Sequence, residues 1–262
     1  LAFLLGVLYA LPVSAASFQV SPTRFEFPLT KRFTNFFTLT NNSGQSVRIR
    51  IYPKFIQFSP DRKIEEKVGH PLDLSRWMVF NPRLVNIRPK QKRTIRFSVR
   101  PPRDLSGGEY RAVIFFEEMP ARAAAQPQQA QGESVKLQLK LLTRLGVTIY
   151  GMIGERNPQL QAGERRVRIE KDQLTVTAMV ENTGNVHVSL NIKAQLQDES
   201  GDTLSENVQS FSIQREQNVR WSFATKKPEK GKFRLLVTGT GKEKQELLNF
   251  AIPIDVGAGQ GS

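Results

Sequence analysis

An all-β chain of two β-sandwich domains in tandem is predicted by three observations. Apolar residues recur at every second position in run after run. Clusters of Asn, Ser, Gly and Asp separate the runs. No segment carries the 3.6-residue period of a long amphipathic helix. Period two marks half-buried antiparallel strands, and many short strands with regular turns mark sandwiches.

The first 16 residues stand apart. LAFLLGVLYAL is uncharged and apolar, and Pro12 and the small residues Val13-Ser14-Ala15-Ala16 follow it. This reads as a signal peptide, cleaved after Ala15 or Ala16, and it is too short to span a bilayer. Export is therefore expected, and no integral membrane segment is expected elsewhere.

The strands follow in order. Phe18 and Val20 share one parity and Phe25 and Phe27 the other, with the change at Ser21-Pro22. A strand that changes its inward face at a proline can cross from one sheet to the other. Arg24 and Glu26 then point away from the core. Val47, Ile49 and Ile51 alternate with Arg48, Arg50 and Tyr52 after the turn Asn41-Asn42-Ser43-Gly44. Short helical turns fit near 72–78, before the strand of Ile95, Phe97 and Val99. After Ser106-Gly107-Gly108, Ala112, Ile114 and Phe116 interleave with Val113 and Phe115, which predicts burial on both faces. Tyr110 opens that strand, where an immunoglobulin-like sandwich carries its tyrosine corner. In SVKLQLKLLTRLGVTIYG, Val135, Leu137, Leu139 and Leu141 form one row, and Lys136, Gln138 and Lys140 the other. The row suits a core face, or an edge strand that offers its leucines to a partner. Beyond it, alternating runs at 174–180, 190–196 and 219–223 build a second sandwich.

Two breaks set the boundaries. ARAAAQPQQAQGE (121–133) reads as a flexible loop between strands, and GERNPQLQAG (154–163) as a linker. The expected division is a signal peptide at 1–16, a first domain at 17–153, a linker at 154–163, a second sandwich at 164–255 and a flexible tail at 256–262.

The 262 residues contain 38 Lys and Arg, 24 Asp and Glu, two His and no Cys. Disulfides, thiolate metal sites and cysteine nucleophiles are excluded. The net charge of +14 points to acidic partners. Its distribution is uneven: residues 17–150 hold 23 basic and 10 acidic side chains, and residues 151–262 hold 15 and 14. Such asymmetry suggests a site in the first domain. Export and the absence of a ring-stacking or helix-turn-helix motif argue against nucleic acid. No phosphate loop, nucleophile elbow or metal-ligand cluster appears, so neither an enzyme nor a cofactor or metal is expected. His70 and His187 read as ordinary surface histidines, and DRKIEEK (61–67) as a solvated hairpin tip.

Together, VSPTRFEF, FFTLTNNSGQSVRIRIY, VFNPRLVNIRPKQKRTIRFSV, GGEYRAVIFFEEMP and VKLQLKLLTRLGV resemble, in order, the first domain of the periplasmic PapD-like chaperones of pilus subunits. The resemblance spans about residues 17–150. The second domain matches a generic immunoglobulin-like module. The resemblance implies a boomerang-like arrangement of two immunoglobulin-like domains in the periplasm. Its partners would be secreted pilin-like subunits with incomplete β-sandwiches, and an outer-membrane usher would be a further partner. The first domain's last strand would complete the subunit without ATP, with Val135, Leu137, Leu139 and Leu141 as donor residues. The subunit's C-terminal carboxylate would be anchored by Arg24 and a cation on the last strand. Gly146 stands where the family's Lys is, and Arg144, on the same strand face, is the replacement. Pro82, in the Asn81-Pro82 turn, together with Glu118 and Pro120 of Glu118-Met119-Pro120, match structural positions, as does Tyr110. The alternative reading is a secreted structural or adhesive protein whose basic first domain binds anionic envelope polymers.

Overall fold

The computed structural model describes residues 17–120 and 142–257. Apart from one 3-10 turn at Ser75–Trp77, the regular elements there are strands. The first part holds β1 (Phe18–Ser21), β2 (Arg24–Pro28), β3 (Phe33–Asn41), β4 (Val47–Lys54), β5 (Ile56–Phe58), β6 (Ile64–Glu66), β7 (Met78–Asn81), β8 (Leu84–Ile87), β9 (Lys92–Val99), β10 (Gly108–Met119) and β11 (Arg144–Ile153). The second holds β12 (Leu160–Glu170), β13 (Gln173–Asn182), β14 (Val188–Gln197), β15 (Thr203–Ile213), β16 (Asn218–Lys226), β17 (Gly231–Gly241) and β18 (Glu246–Val256).

Each part is a two-sheet sandwich. In the first, β1-β3-β9-β7 faces β2-β11-β10-β4-β8, and in the second, β12-β13-β16 faces β15-β14-β17-β18. The parity change at Ser21-Pro22 does carry the chain between sheets. β1 pairs antiparallel with β3, whereas β2 runs parallel to β11. The linker is shorter than the sequence suggests: β12 already pairs at Leu160, so the connection is 154–159. The β12 segment carries little apolar alternation, because almost all of its residues are exposed.

The two cores are separate. Phe37, fully buried, centres the first: it meets Phe25 and Phe116 edge-on at 5.1 Å each and stacks on Phe97 at 4.9 Å. Trp221 and Phe250, 6.3 Å apart, anchor the second. Such aromatic pairs contribute beyond their buried area. The Tyr110 hydroxyl donates to the Ser106 carbonyl at 3.0 Å, four residues upstream, which is tyrosine-corner geometry.

One turn device occurs in both domains. Asn41 is fully buried and its amide donates to the carbonyls of Gln45 and Ile87 at 2.7 and 2.9 Å. Asn182 donates to those of Val186 and Ile213 at 2.8 and 3.0 Å. The side-chain oxygens accept from the backbone N–H two residues on, at Ser43 and Gly184. A buried amide so satisfied ties the β3–β4 and β13–β14 turns to a neighbouring strand.

Candidate functional site

The candidate site residues of the first domain lie on the outer face of its five-stranded sheet. Strand register orders them in rows. Arg144 lies opposite Glu117 and Arg50 beyond it. The next row is Gly146, Phe115 and Tyr52, and the next Arg24, Thr148, Val113 and Lys54. Then come Glu26, Tyr150 and Arg111. Alternation along each strand puts all of these on the side away from the core. Val113 and Phe115 are therefore half-buried outer-face residues. The predicted two-sided burial of this strand is found instead at Gly108–Ala112, where the second domain covers it.

That cover is a buried polar network. The Glu109 N–H donates to the Asn185 carbonyl at 2.8 Å. The Glu109 carboxylate, 1% exposed, accepts from the His187 N–H at 3.2 Å and from His187 Nδ1. With its hydrogen on Nδ1, the imidazole leaves Nε2 to accept from Arg24. The ring stacks on Tyr150 at 4.1 Å, and Tyr150 hydrogen-bonds Gln214. His187 is thus no surface histidine: it is 6% exposed and wedged between the domains. Its sequence neighbourhood, a strand start after a polar turn, resembles that of any exposed residue. Gly108 has φ of +114°, and any Cβ there would run into Arg215, whose guanidinium donates to the Glu109 carbonyl at 3.3 Å.

Two cations in this network are incompletely paired among the described residues. Nε of Arg24, and Nε and Nη2 of Arg111, are buried without a hydrogen-bond acceptor. Arg111 lies under the Phe55 ring at 4.7 Å and donates once, to the Arg215 carbonyl at 3.3 Å. Burial pulls its guanidinium down to about 10, against the pull of Glu109. Arg24 also pairs with Glu26 at 2.5 Å and lies over Tyr150 at 4.7 Å.

Glu26 joins the network from the rim. Partial burial raises its carboxyl, but the neighbouring guanidiniums of Arg24 and Arg156 outweigh this and hold it below its usual 4.5. A depressed carboxyl contributes stability above its unfolded-state value and loses it as pH falls through the folded one. The Tm difference between wild type and Glu26→Gln is expected to be full at neutral pH and to close below pH 4.5. A difference independent of pH would show that Glu26 acts by packing.

The sequence-derived site residues fall at different places. Arg24 and Arg144 share the outer face, but Arg24 is opposite Thr148, four positions along β11, about 13 Å at strand rise. Arg144 sits over the Phe115 ring at 3.8 Å and pairs with Glu66 at 3.1 Å. Gly146 leaves Phe115 its place, since a Cβ there would meet Val113 at 3.0 Å and the ring at 3.4 Å. Glu118 accepts from the Ser17 hydroxyl at 2.5 Å. Pro120 follows the end of β10, and Pro82 follows a cis Asn81–Pro82 bond after β7. Val135, Leu137, Leu139 and Leu141 lie outside the described residues, as do the signal-peptide and 121–133 segments. Among the described residues no group of three or more His, Asp and Glu could hold a metal, and no helix is long and apolar enough to cross a membrane.

No family model matches the sequence, and no curated protein matches it. Solved structures do match over nearly the full length. A chaperone–tip adhesin complex of CFA/I fimbriae superposes with a TM-score of 0.51 at 14% identity, over 92% of this chain and 100% of that one. The Class 5 fimbriae chaperone CfaA gives 0.50 at 15%, over 90% and 98%. The chain has the fold of the fimbrial chaperones. A third structure with this chaperone fold is the CsuC–CsuE chaperone–tip adhesion subunit pre-assembly complex from the archaic chaperone-usher Csu pili of Acinetobacter baumannii. It gives 0.50 at 13%, over 91% and 98%. The chaperone fold includes both sandwiches, so the second domain, generic in sequence, belongs to it as well. Glu109, Arg111, Tyr150, Lys54 and Glu66 carried no sequence signal of a site, because each sits among ordinary strand residues.

Proposed function

We propose that the chain is a periplasmic chaperone that captures pilin-like subunits whose own sandwich lacks its last strand. In this reading residues 17–153 form the capturing domain and 160–256 the second sandwich. The row Val135, Leu137, Leu139 and Leu141 is lent to the subunit. The subunit's C-terminal carboxylate is held by cations of the outer face, Arg24 and Arg144 being those the family resemblance points to. Binding free energy alone stabilises the subunit, without ATP, and an outer-membrane usher receives it. The observation that carries this reading is the chaperone fold over nine-tenths of the chain. A cation-bearing sheet face beside the strand that follows the leucine row supports it. A carboxylate leaving water needs such cations, because an unpaired buried charge is costly.

The test is capture. Full-length chain isolated from the periplasm is expected to carry a secreted β-sandwich protein lacking its final strand, and that protein is expected to be degraded when the chain is absent. A chain that purifies alone, with unchanged levels of such proteins in its absence, would overturn the reading.

A further inference from the structure

The charge excess of the first domain comes largely from two stretches. Residues 27–60 and 74–103 contain 14 Lys and Arg and no Asp or Glu. They supply β3, β4, β5, β7, β8 and β9. β1 adds no acid either, so no strand of the β1-β3-β9-β7 sheet carries a carboxylate. The cations of the opposite sheet are already answered: Arg24 by Glu26, Arg50 by Glu117, and Lys54 and Arg144 by Glu66. On the four-stranded sheet they are not. Among the described residues Lys92, Arg96 and Arg100 form no ion pair.

All three are exposed. Lys92 and Arg96 point outward from β9, because Ile95 and Phe97 are core residues. Arg100 follows at the same parity, its N–H donating to the Trp77 carbonyl at 2.9 Å. Each stands four residues from the next, about 13 Å at strand rise. Cations so aligned repel one another, and an anion laid along them relieves the repulsion.

Strand register places neutral groups beside this line. Phe36 and Asn81 flank Arg96 from β3 and β7. Thr38 stands opposite Thr94, and Thr40 opposite Lys92. Phe36 is 55% exposed, a large ring on a face of hydroxyls and amides. The second domain leaves this face open. It meets the first domain at Glu109 and, through Pro60 and Asp61, at the β5–β6 hairpin, all outside this sheet.

These features select among anions. A spaced line of cations calls for an extended polyanion rather than a small ion. In a nucleic acid the charges recur far more closely than about 13 Å. A lipid surface would meet a cluster of cations rather than a line. A sugar ring fits the rest: its C–H face stacks on an aromatic ring, and its hydroxyls exchange hydrogen bonds with Thr and Asn.

We propose that the outer face of the β1-β3-β9-β7 sheet binds a linear polysaccharide carrying acidic groups on some but not all of its sugars. Lys92, Arg96 and Arg100 pair with the acidic groups, and Phe36 stacks on a sugar between them. This is a second function, on the opposite side of the sandwich from the capture site and independent of the chaperone reading.

The experiment measures binding of the full chain to hyaluronan, whose carboxylates lie on every second sugar. Dextran is the uncharged control, and oligothymidylate and phosphatidylglycerol vesicles are the other polyanions. Wild type is expected to bind hyaluronan and not dextran, and to lose at least about tenfold in affinity between about 50 and about 200 mM salt. Lys92→Ala, Arg96→Ala and Phe36→Ala are each expected to weaken binding about fivefold, with unfolding temperatures like wild type. Arg50→Ala, on the opposite sheet, is expected to bind as wild type does, and Arg96→Ala and Phe36→Ala to capture subunits as wild type does. Hyaluronan bound no better than dextran, or a Phe36→Ala chain that binds it like wild type, overturns the proposal. So does tighter binding of oligothymidylate or of the vesicles at the higher salt. A loss in Arg50→Ala equal to that in Arg96→Ala also overturns it, because the attraction then belongs to the charge of the whole domain.

Discussion

Leu139→Glu is expected to abolish subunit capture while leaving the chain's own unfolding temperature unchanged. In the proposed mechanism alternate side chains of the lent strand fill the subunit's open core. A glutamate at the middle of the row Val135, Leu137, Leu139 and Leu141 would have to be desolvated there. The loss is at least about 4 kcal/mol, roughly a thousandfold in affinity. Lys140→Glu, in the alternate row, is expected to retain capture. Co-purification of the bound subunit reads the first effect and calorimetry the second. A Leu139→Glu chain that fails to fold would place the row in the first domain's own core and overturn strand donation.

Glu109→Ala is expected to uncouple the two domains. Glu109 is the buried anion of their contact: it accepts from the backbone N–H and the Nδ1 of His187, and it opposes the charge of Arg111. Without it, the imidazole loses its acceptor beside two incompletely paired guanidiniums. Removing one member of a buried charged network costs about 3–5 kcal/mol. Calorimetry is expected to resolve two transitions, and proteolysis to become rapid at 154–159. A single transition at the wild-type temperature would show that the Asp61, Arg62 and Arg220 contacts suffice to hold the domains.

Much of the scaffold was legible. Strands such as β4, β9, β13 and β14 carry their inward faces as plain alternation, from Val47-Ile49-Ile51 to Leu190-Ile192-Ala194. The sheet switch shows in the parity of Phe18 and Val20 against Phe25 and Phe27. The site was less legible. Arg24 could be picked out as an outward cation, but its partners Glu26, Tyr150 and His187 lie up to 163 residues away. His187 reads as a surface residue in sequence because burial by another domain leaves no local mark. Lys54 and Glu66 read as solvated charges because nothing in the order of residues shows that a hairpin brings them to Arg144.

The division has a physical cause. A strand turns successive side chains to opposite faces, so the pattern that builds a sandwich is written in neighbouring residues. Fold class and the two cores follow from that, and the Asn turns follow from the polar clusters between the runs. Hydrogen bonds and ion pairs act over a few ångströms between groups from distant segments, and strand register and domain contact decide which groups meet. Which carboxylate answers Arg144, which histidine seals Glu109 and which cation stays short of acceptors were therefore decided only when the sheets assembled.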